Sequence, residues 1–341
     1  MKSMLKKVLI MLAVISMAMV SSGIARAAQE VKFLFPEPTS SALTYPEGQM
    51  LGVYCGAFDF HMKELPVLRG RYAARWVGDL YKSPEDVLNA VAMGAGQFTY
   101  TTPYFIEQFD PEWRVLLTPG LVKDMSHFIR IMNTPEWKAK QEELAKNKGF
   151  RILKWPTTMG NFFVYTNKGP IEKVEDLKGV KIRYAGQQTF GNAFKKLGII
   201  GVAMPYSEVV SSLQTNMIDG HIDNIFAYEY YDMPRTCKYV ISHHFGPMPL
   251  ALVVNSAWWD ALPEKERKAM EYVVNVVDCQ AYFDNNEAAV IEWWDNNPKG
   301  EVIRFTPEEL QNGISFWKKP MLIYCSLLTR NCSMRSAAQD N

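Results

Sequence analysis

Several things are scarce in this sequence, and each scarcity excludes something. Cysteine is one: Cys55, Cys237, Cys279, Cys325 and Cys332 are the only five in 341 residues. An odd count leaves at least one thiol unpaired, and no C-x-x-C is present. None is spaced with His61, His127, His221, His243 or His244 as a metal site requires, so no metal is expected. Charge excess of one sign is another scarcity. The formal net charge is +1, with no basic run beyond the N-terminus, which argues against nucleic acid as a partner. Enzyme signatures are missing too: there is no G-x-S-x-G, no P-loop, no G-x-G-x-x-G after a strand and no H-E-x-x-H. No cofactor is therefore expected, and a hydrolase remains only a remote alternative.

Long apolar runs are also scarce. Val8–Val20 is the one continuous stretch, and it is shorter than a membrane span needs. Lys2, Lys6 and Lys7 precede it and Ala25-Arg26-Ala27 follows, the arrangement of a cleaved secretory signal over residues 1–27. No cysteine stands at the cleavage position to carry a lipid. Removing Lys2, Lys6, Lys7 and Arg26 leaves 33 basic and 36 acidic residues, a net charge of −3. The expected address is the periplasm.

What is present fits a globular chain. Hydrophobic residues make up 48% and charged residues 21%, and the length suits two lobes better than one simple core. Aromatic residues, at 13%, leave a surplus for lining a pocket. Strand-like runs at Val31–Phe35, Arg71–Val77 and Gln97–Thr102 alternate with helical patterns at 45–63 and after Ser83-Pro84-Glu85-Asp86, a helix start with N-cap, proline and acids in order. Such alternation predicts a parallel sheet. Pro103–Leu117 reads as a loop with scattered aromatics, and Met125–Lys146 as one or two helices with Pro135 at a start. Phe150–Lys154 and Asn161–Asn167 read as separate strands, with Trp155-Pro156 a crossing between lobes. Lys238–His243 and Leu250–Asn255 follow as strands, then a long helix over Glu264–Glu292, a short strand at Val302–Phe305, a helix from Pro307, and a polar tail beyond Leu328.

The densest stretch is Val174–Asn224. A strand at Val180–Tyr184 carries Arg183 near its C-terminal end. A helix over Thr189–Leu197 puts Phe190, Ala193, Phe194 and Leu197 on one face and is closed by Gly198. A strand at Val202–Met204 and a helix from the N-cap Ser207 to Thr215 complete a second unit, and the Met217–Ile225 segment returns to the sheet with Asp223. Ligands in open α/β sheets sit beyond the carboxyl ends of the strands, where Arg183 and Asp223 both fall.

These motifs, Asp176–Arg183, Met204–Glu208, Leu213–Asn216 and Asp219–Gly220, occur in register and resemble the signature of the DctP-type solute-binding proteins of TRAP (tripartite ATP-independent periplasmic) transporters. Asn255, Trp258-Trp259 and Leu262-Pro263 resemble a further family motif. The resemblance implies an α/β, two-lobed periplasmic-binding-protein fold, with two mixed sheets flanked by helices and segments that cross a hinge. The expected division is 28–157 and 248–288 in lobe I, 158–247 and 289–328 in lobe II, with 329–341 a tail. It also implies a binding protein rather than an enzyme, working with the small and large integral membrane subunits of a transporter.

On spacing alone, a strand-end arginine reads as a structural ion pair; the resemblance implies instead that Arg183 grips a ligand carboxylate. Asp223 stands where the family usually has asparagine, and either pairs with Arg183 or meets a ligand ammonium. Phe163 stands where dicarboxylate- and sialic-acid-binding relatives often carry a second arginine, and is read either as a stacking surface or as core. Further candidates are Glu37 in the loop after the first strand, Asp79 after the second, and Tyr100 and Thr102 at the end of the third. Trp155 and Phe226 are placed to line the cleft. Asp223 and Phe163 together favour an aromatic amino acid or aromatic monocarboxylate, such as tryptophan or indole-3-pyruvate. A C4-dicarboxylate or another simple organic acid is the alternative ligand, and a ligand sensor for a signalling receptor the alternative role.

Overall fold

The computed structural model describes residues 27–36, 50–78, 80–81, 83–117, 121–169, 171–224, 236–241, 247–277, 291–292, 294–296, 301–304 and 308. Glu37, Asp79 and Phe226, the Pro307 helix start and the tail lie outside them.

The first lobe begins with β1 (Gln29–Leu34), α1 (Met50–Glu64), β2 (Tyr72–Val77), α2 (Pro84–Ala92) and β3 (Phe98–Thr101). β1 pairs in parallel with both β2 and β3, as the alternation predicts. The start of α2 is built as its residues dictate: Ser83 Oγ accepts from the Asp86 amide at 3.1 Å, with Pro84 inside the first turn. α3 (Pro103–Ile106) and a 3-10 turn at Pro111–Leu117 come next, then α4 (Met125–Met132) and α5 (Pro135–Asn147). Pro135 opens α5 behind the N-cap Thr134.

β4 (Phe150–Thr166) is one 17-residue strand. The expected break at Trp155-Pro156 is absent, because β9 (Pro247–Asn255) runs antiparallel beside it and keeps its backbone paired through the crossing. The pairing absorbs register shifts between Ile152 and Asn161, where the lobes meet. β9 also pairs with β3 in the first lobe, while the far half of β4 pairs with β7 (Gly220–Asn224) and β8 (Tyr239–Ile241) in the second. β5 (Lys181–Tyr184) pairs in parallel with β7 and with β6 (Ile200–Ala203). The hydrogen-bonded path therefore runs β2-β1-β3-β9-β4-β7-β5-β6, and both mixed sheets share β4. α6 (Gln188–Leu197) and α7 (Val209–Gln214) complete the second lobe's units. α8 (Ser256–Ala261) and α9 (Glu264–Val276) follow β9, and β10 (Glu301–Ile303) pairs with β8.

Strand alternation divides the core. Leu252 and Val254 face Phe33, Phe58, Phe98, Met270 and Val273 on one side of the first sheet. Ala251 and Val253 face Val91, Trp113, Phe128 and Trp137 on the other. In the second lobe, Ile182, Val164 and Ile222 pack under Phe190 and Phe194 of α6. Phe163 and Tyr165 pack with Val209 and Leu213 of α7, and with Trp294.

Four readings are corrected. Residues 103–117 are not a loop: Pro103 opens α3, and Tyr104, Phe105, Ile106, Trp113, Val115, Leu116 and Leu117 are buried. The aromatics that looked scattered are the packing face. The helix from Glu264 ends at Val276, where Val277 is extended at φ −79° and ψ 112°, so it does not continue to Glu292. Ser207 is not an N-cap: it lies inside a 3-10 turn, Tyr206–Glu208, and α7 starts directly after that turn, at Val209, with Glu208 in the N-cap position. β6 begins at Ile200, two residues before the expected start. Cys55 and Cys237 are buried free thiols, and burial pushes each up to about 12.

The glycines of the densest stretch have separate causes. Gly198 ends α6 at φ 74°, the left-handed geometry of a helix C-terminus. Gly220 is needed for closeness: a Cβ there would stand 2.2 Å from the Tyr165 carbonyl oxygen. Substituting alanine forces β7 away from β4, and Gly220→Ala is expected to cost about 1–3 kcal/mol. Thermal unfolding followed by circular dichroism checks this; an unchanged midpoint would show that β4 and β7 can separate freely.

Candidate functional site

The site is assembled by three strands. The start of β7 is pinned by Asp219, whose Oδ2 accepts from the Lys181 amide at 2.9 Å and whose carbonyl accepts from the Asn167 amide at 2.8 Å. With Gly220, this clips β7 between β5 and β4. Register then places Arg183 opposite His221, Tyr165 opposite His221, and Phe163 opposite Asp223. Since side chains alternate along a strand, His221 and Asp223 share a face with Arg183, Tyr165 and Phe163.

Arg183 is fully buried. Its Nε donates to the Met204 carbonyl at 2.9 Å and its Nη1 to Asp223 Oδ2 at 3.3 Å. The other Asp223 oxygen accepts from the Asn224 amide at 2.8 Å and from Asn224 Nδ2 at 3.0 Å. Tyr165 donates its hydroxyl to the Asn224 carbonyl at 3.1 Å, and its ring stacks on His221 with centroids 4.9 Å apart. Burial pushes Asp223 up to about 6, against the opposing pull of Arg183 and of the Asn224 bonds. Burial, with Arg183 adding to it, holds His221 well below its ordinary value. His221 is therefore neutral, and its 3.9 Å approach to Asp223 is not an ion pair. The one strong charge here is the arginine, and its counter-ion is internal.

The other candidates are placed as follows. Phe163 is adjacent to Asp223 in register, and its ring lies in the core with Met204, Val209 and Leu213. Tyr100 is buried in the first lobe, edge-on to Tyr54 at 4.9 Å. Thr102 is buried at the start of α3, where its hydroxyl makes no capping bond. Trp155 bonds Gln141 Oε1 at 3.2 Å and packs edge-on against Phe128, within the first lobe.

Two features escaped sequence reading. His221 belongs to the cluster, and alternation along β7 points to it, two positions before Asp223. The second is a polar link between lobes. Glu107, just past α3, accepts from the Thr189 hydroxyl in α6 and from Arg114 Nε at 3.2 Å. Burial raises Glu107 above the ordinary glutamate value, and both bonds oppose that rise. No spacing in the chain announces this contact.

Two lobes joined by paired crossing strands, with a buried arginine at a strand end, define a solute-binding architecture. The chain belongs to the bacterial extracellular solute-binding proteins, family 7 (DctP), whose model matches residues 78–318. The family serves transport by binding solutes and is not a family of enzymes. A C4-dicarboxylate-binding periplasmic protein, DctP of Vibrio cholerae, is 26% identical over 242 residues, 69% of this chain and 70% of that protein. The uncharacterized protein YiiZ of Salmonella typhimurium is 25% identical over 189 residues, 55% of this chain and 58% of that one. The matched span thus covers little more than half of YiiZ. Among solved structures, a TRAP periplasmic solute-binding protein of Shewanella oneidensis with bound succinate superposes with a TM-score of 0.77 at 20% identity, covering 92% of this chain and 98% of that one. One from Anaerococcus prevotii with bound glucuronate gives 0.76, also at 20%, covering 91% and 96%. Among the described residues, no helix is long and apolar enough to cross a membrane.

The position of Asp223 makes stability depend on pH. Its folded value, about 6, lies above the ordinary 3.8, so the native state holds a proton that the unfolded chain releases. That stabilisation is complete below pH 3.8 and is lost as pH rises through 6. The shift corresponds to roughly 3 kcal/mol. The unfolding free energy of the native chain minus that of Asp223→Asn is expected to fall by that order between pH 3.5 and 7. Denaturant titrations across this range test it; parallel profiles for the two chains would place Asp223 in a wet site.

Proposed function

We propose that this chain is the extracytoplasmic solute-binding subunit of a TRAP transporter. It captures a small carboxylate ligand in the cleft and delivers it to small and large integral membrane subunits. Residues 1–27 act as the secretory signal that brings it to the periplasm. Residues 28–157 and 248–288 form the first lobe, and 158–247 and 289–328 the second. The ligands named for relatives, C4-dicarboxylate, succinate and glucuronate, are all acids and support the class.

The observation that carries the reading is Arg183, buried and held from one side by the Met204 carbonyl. A guanidinium held in fixed orientation suits recognition of a carboxylate, because its planar fork matches the two carboxylate oxygens in charge and geometry. Asp223 decides which carboxylate. A simple anion brought to Arg183 adds a negative charge beside a buried aspartate, which is costly. A zwitterion brings its own ammonium to Asp223 and leaves the site balanced. An amino acid is therefore favoured, and Phe163 in place of a second arginine favours one with an apolar or aromatic side chain, such as tryptophan. Because the Phe163 ring packs in the core, its part is to deny a second cationic clamp rather than to stack on the ligand.

Calorimetric titration of ligand-stripped protein with tryptophan, indole-3-pyruvate, phenylalanine, succinate and pyruvate tests this. Tryptophan or phenylalanine is expected to bind at least tenfold more tightly than the keto acids and succinate. Asp223→Asn is expected to narrow that preference, and equal losses for amino acid and keto acid would remove the ammonium assignment. Arg183→Lys keeps the charge but loses the fork, and is expected to weaken every carboxylate at least tenfold. Undiminished affinity in that variant would remove the arginine from the binding site.

A further inference from the structure

α6 begins without a cap of its own. Its N-cap residue, Gln187, makes no side-chain bond to the first-turn amides, and the first turn contains no acid. Unbonded amides and the positive end of the helix dipole both call for an oxygen there. The oxygen comes from the other lobe. The Glu107 carboxylate accepts from the hydroxyl of Thr189, the second residue of α6. Arg114 holds it from its own side at 3.2 Å. Glu107 is only 4% exposed, so the contact is an enclosed one.

The chain around Glu107 belongs to both lobes. Trp113, Val115 and Leu116 lie in the first-lobe core, while Tyr104 and Leu117 lie in the second-lobe core. Tyr104 stacks face to face on Phe190, one residue after Thr189, with centroids 5.4 Å apart and planes within 3°. It also meets Phe162 of β4 edge-on at 4.7 Å. The aromatic contact brings the lobes to one distance, and the carboxylate bond requires that distance.

We propose that Glu107 is an interlobe cap: a positioning residue that seats on the N-terminus of α6 when the lobes close, so that cleft closure and ordering of the first turn of α6 are a single event. Parting the lobes leaves Glu107 with Arg114 alone and leaves the first turn uncapped. That turn directly follows the loop that leaves Arg183, so closure reaches the binding arginine through the backbone rather than through a side-chain relay. The inference depends on the two-lobed arrangement and on no choice of ligand, so it can fail while the proposed function stands, and the reverse.

Hydrogen exchange and small-angle scattering on the ligand-free protein test it. In Glu107→Ala, the amides from Thr189 to Gly191 are expected to exchange about tenfold faster than in the native chain, with β9 amides unchanged and a larger radius of gyration. Thr189→Val preserves volume and leaves the Glu107 carboxylate facing the first turn, and is expected to give a smaller acceleration, about threefold, at the same amides; it carries the test where Glu107→Ala does not fold. Unchanged exchange in the first turn of α6 overturns the proposal. Equal acceleration in β9 also overturns it, since that marks a general loss of stability. Native-like scattering from Glu107→Ala overturns the link to closure.

Discussion

The buried pair of Arg183 and Asp223 is the constraint around which the second lobe is arranged. An ionised side chain taken out of water costs several kcal/mol, and only close, well-oriented partners offset that. Here the partners come from β7 and from the β6–α7 connection: Asp223 within β7, Asn224 at its end, and the Met204 carbonyl beyond β6. Removing one partner leaves the other charge stranded. The register of β4, β5 and β7 is therefore not free to slip, and Asp219 with Gly220 is the clip that fixes it.

This gives the residues of the densest stretch separate tasks. Asp176 ties the turn before β5 by accepting from the Glu172 and Lys173 amides. Asp219 and Gly220 bring three strands to one spacing, and Gly198 releases the chain from α6. Among them, Arg183 and Asp223 alone put charge into the buried cluster. A motif that reads as a functional signature is mostly the scaffold of two side chains.

The lobes are coupled by continuous backbone. β4 and β9 pass from one lobe to the other side by side, and their pairing is least regular between Ile152 and Asn161. Fewer ladder bonds resist bending there than in the flanking strands. Residues 103–117 form a second bridge, made of side chains rather than of a ladder, with Tyr104 in the far core and Trp113 in the near one. Backbone pairing joins the lobes along β4 and β9, and side-chain packing joins them again at residues 103–117.

Local chemistry alone determined a good deal. Ser83-Pro84 started a helix and Gly198 ended one, because caps act within a turn of their own residue. Apolar spacing placed most strands to within two residues, and the motifs in register pointed to the family and to Arg183. Tertiary structure decided what depends on distant partners. Trp155-Pro156 reads as a break until β9 lies alongside it, and 103–117 reads as a loop until two cores close over its aromatics. His221 joined the site through strand pairing, and Glu107 met Thr189 across 82 positions of chain. Periodicity reports which side of an element is apolar; it carries no information about what arrives there, and a buried charge is settled only by what arrives.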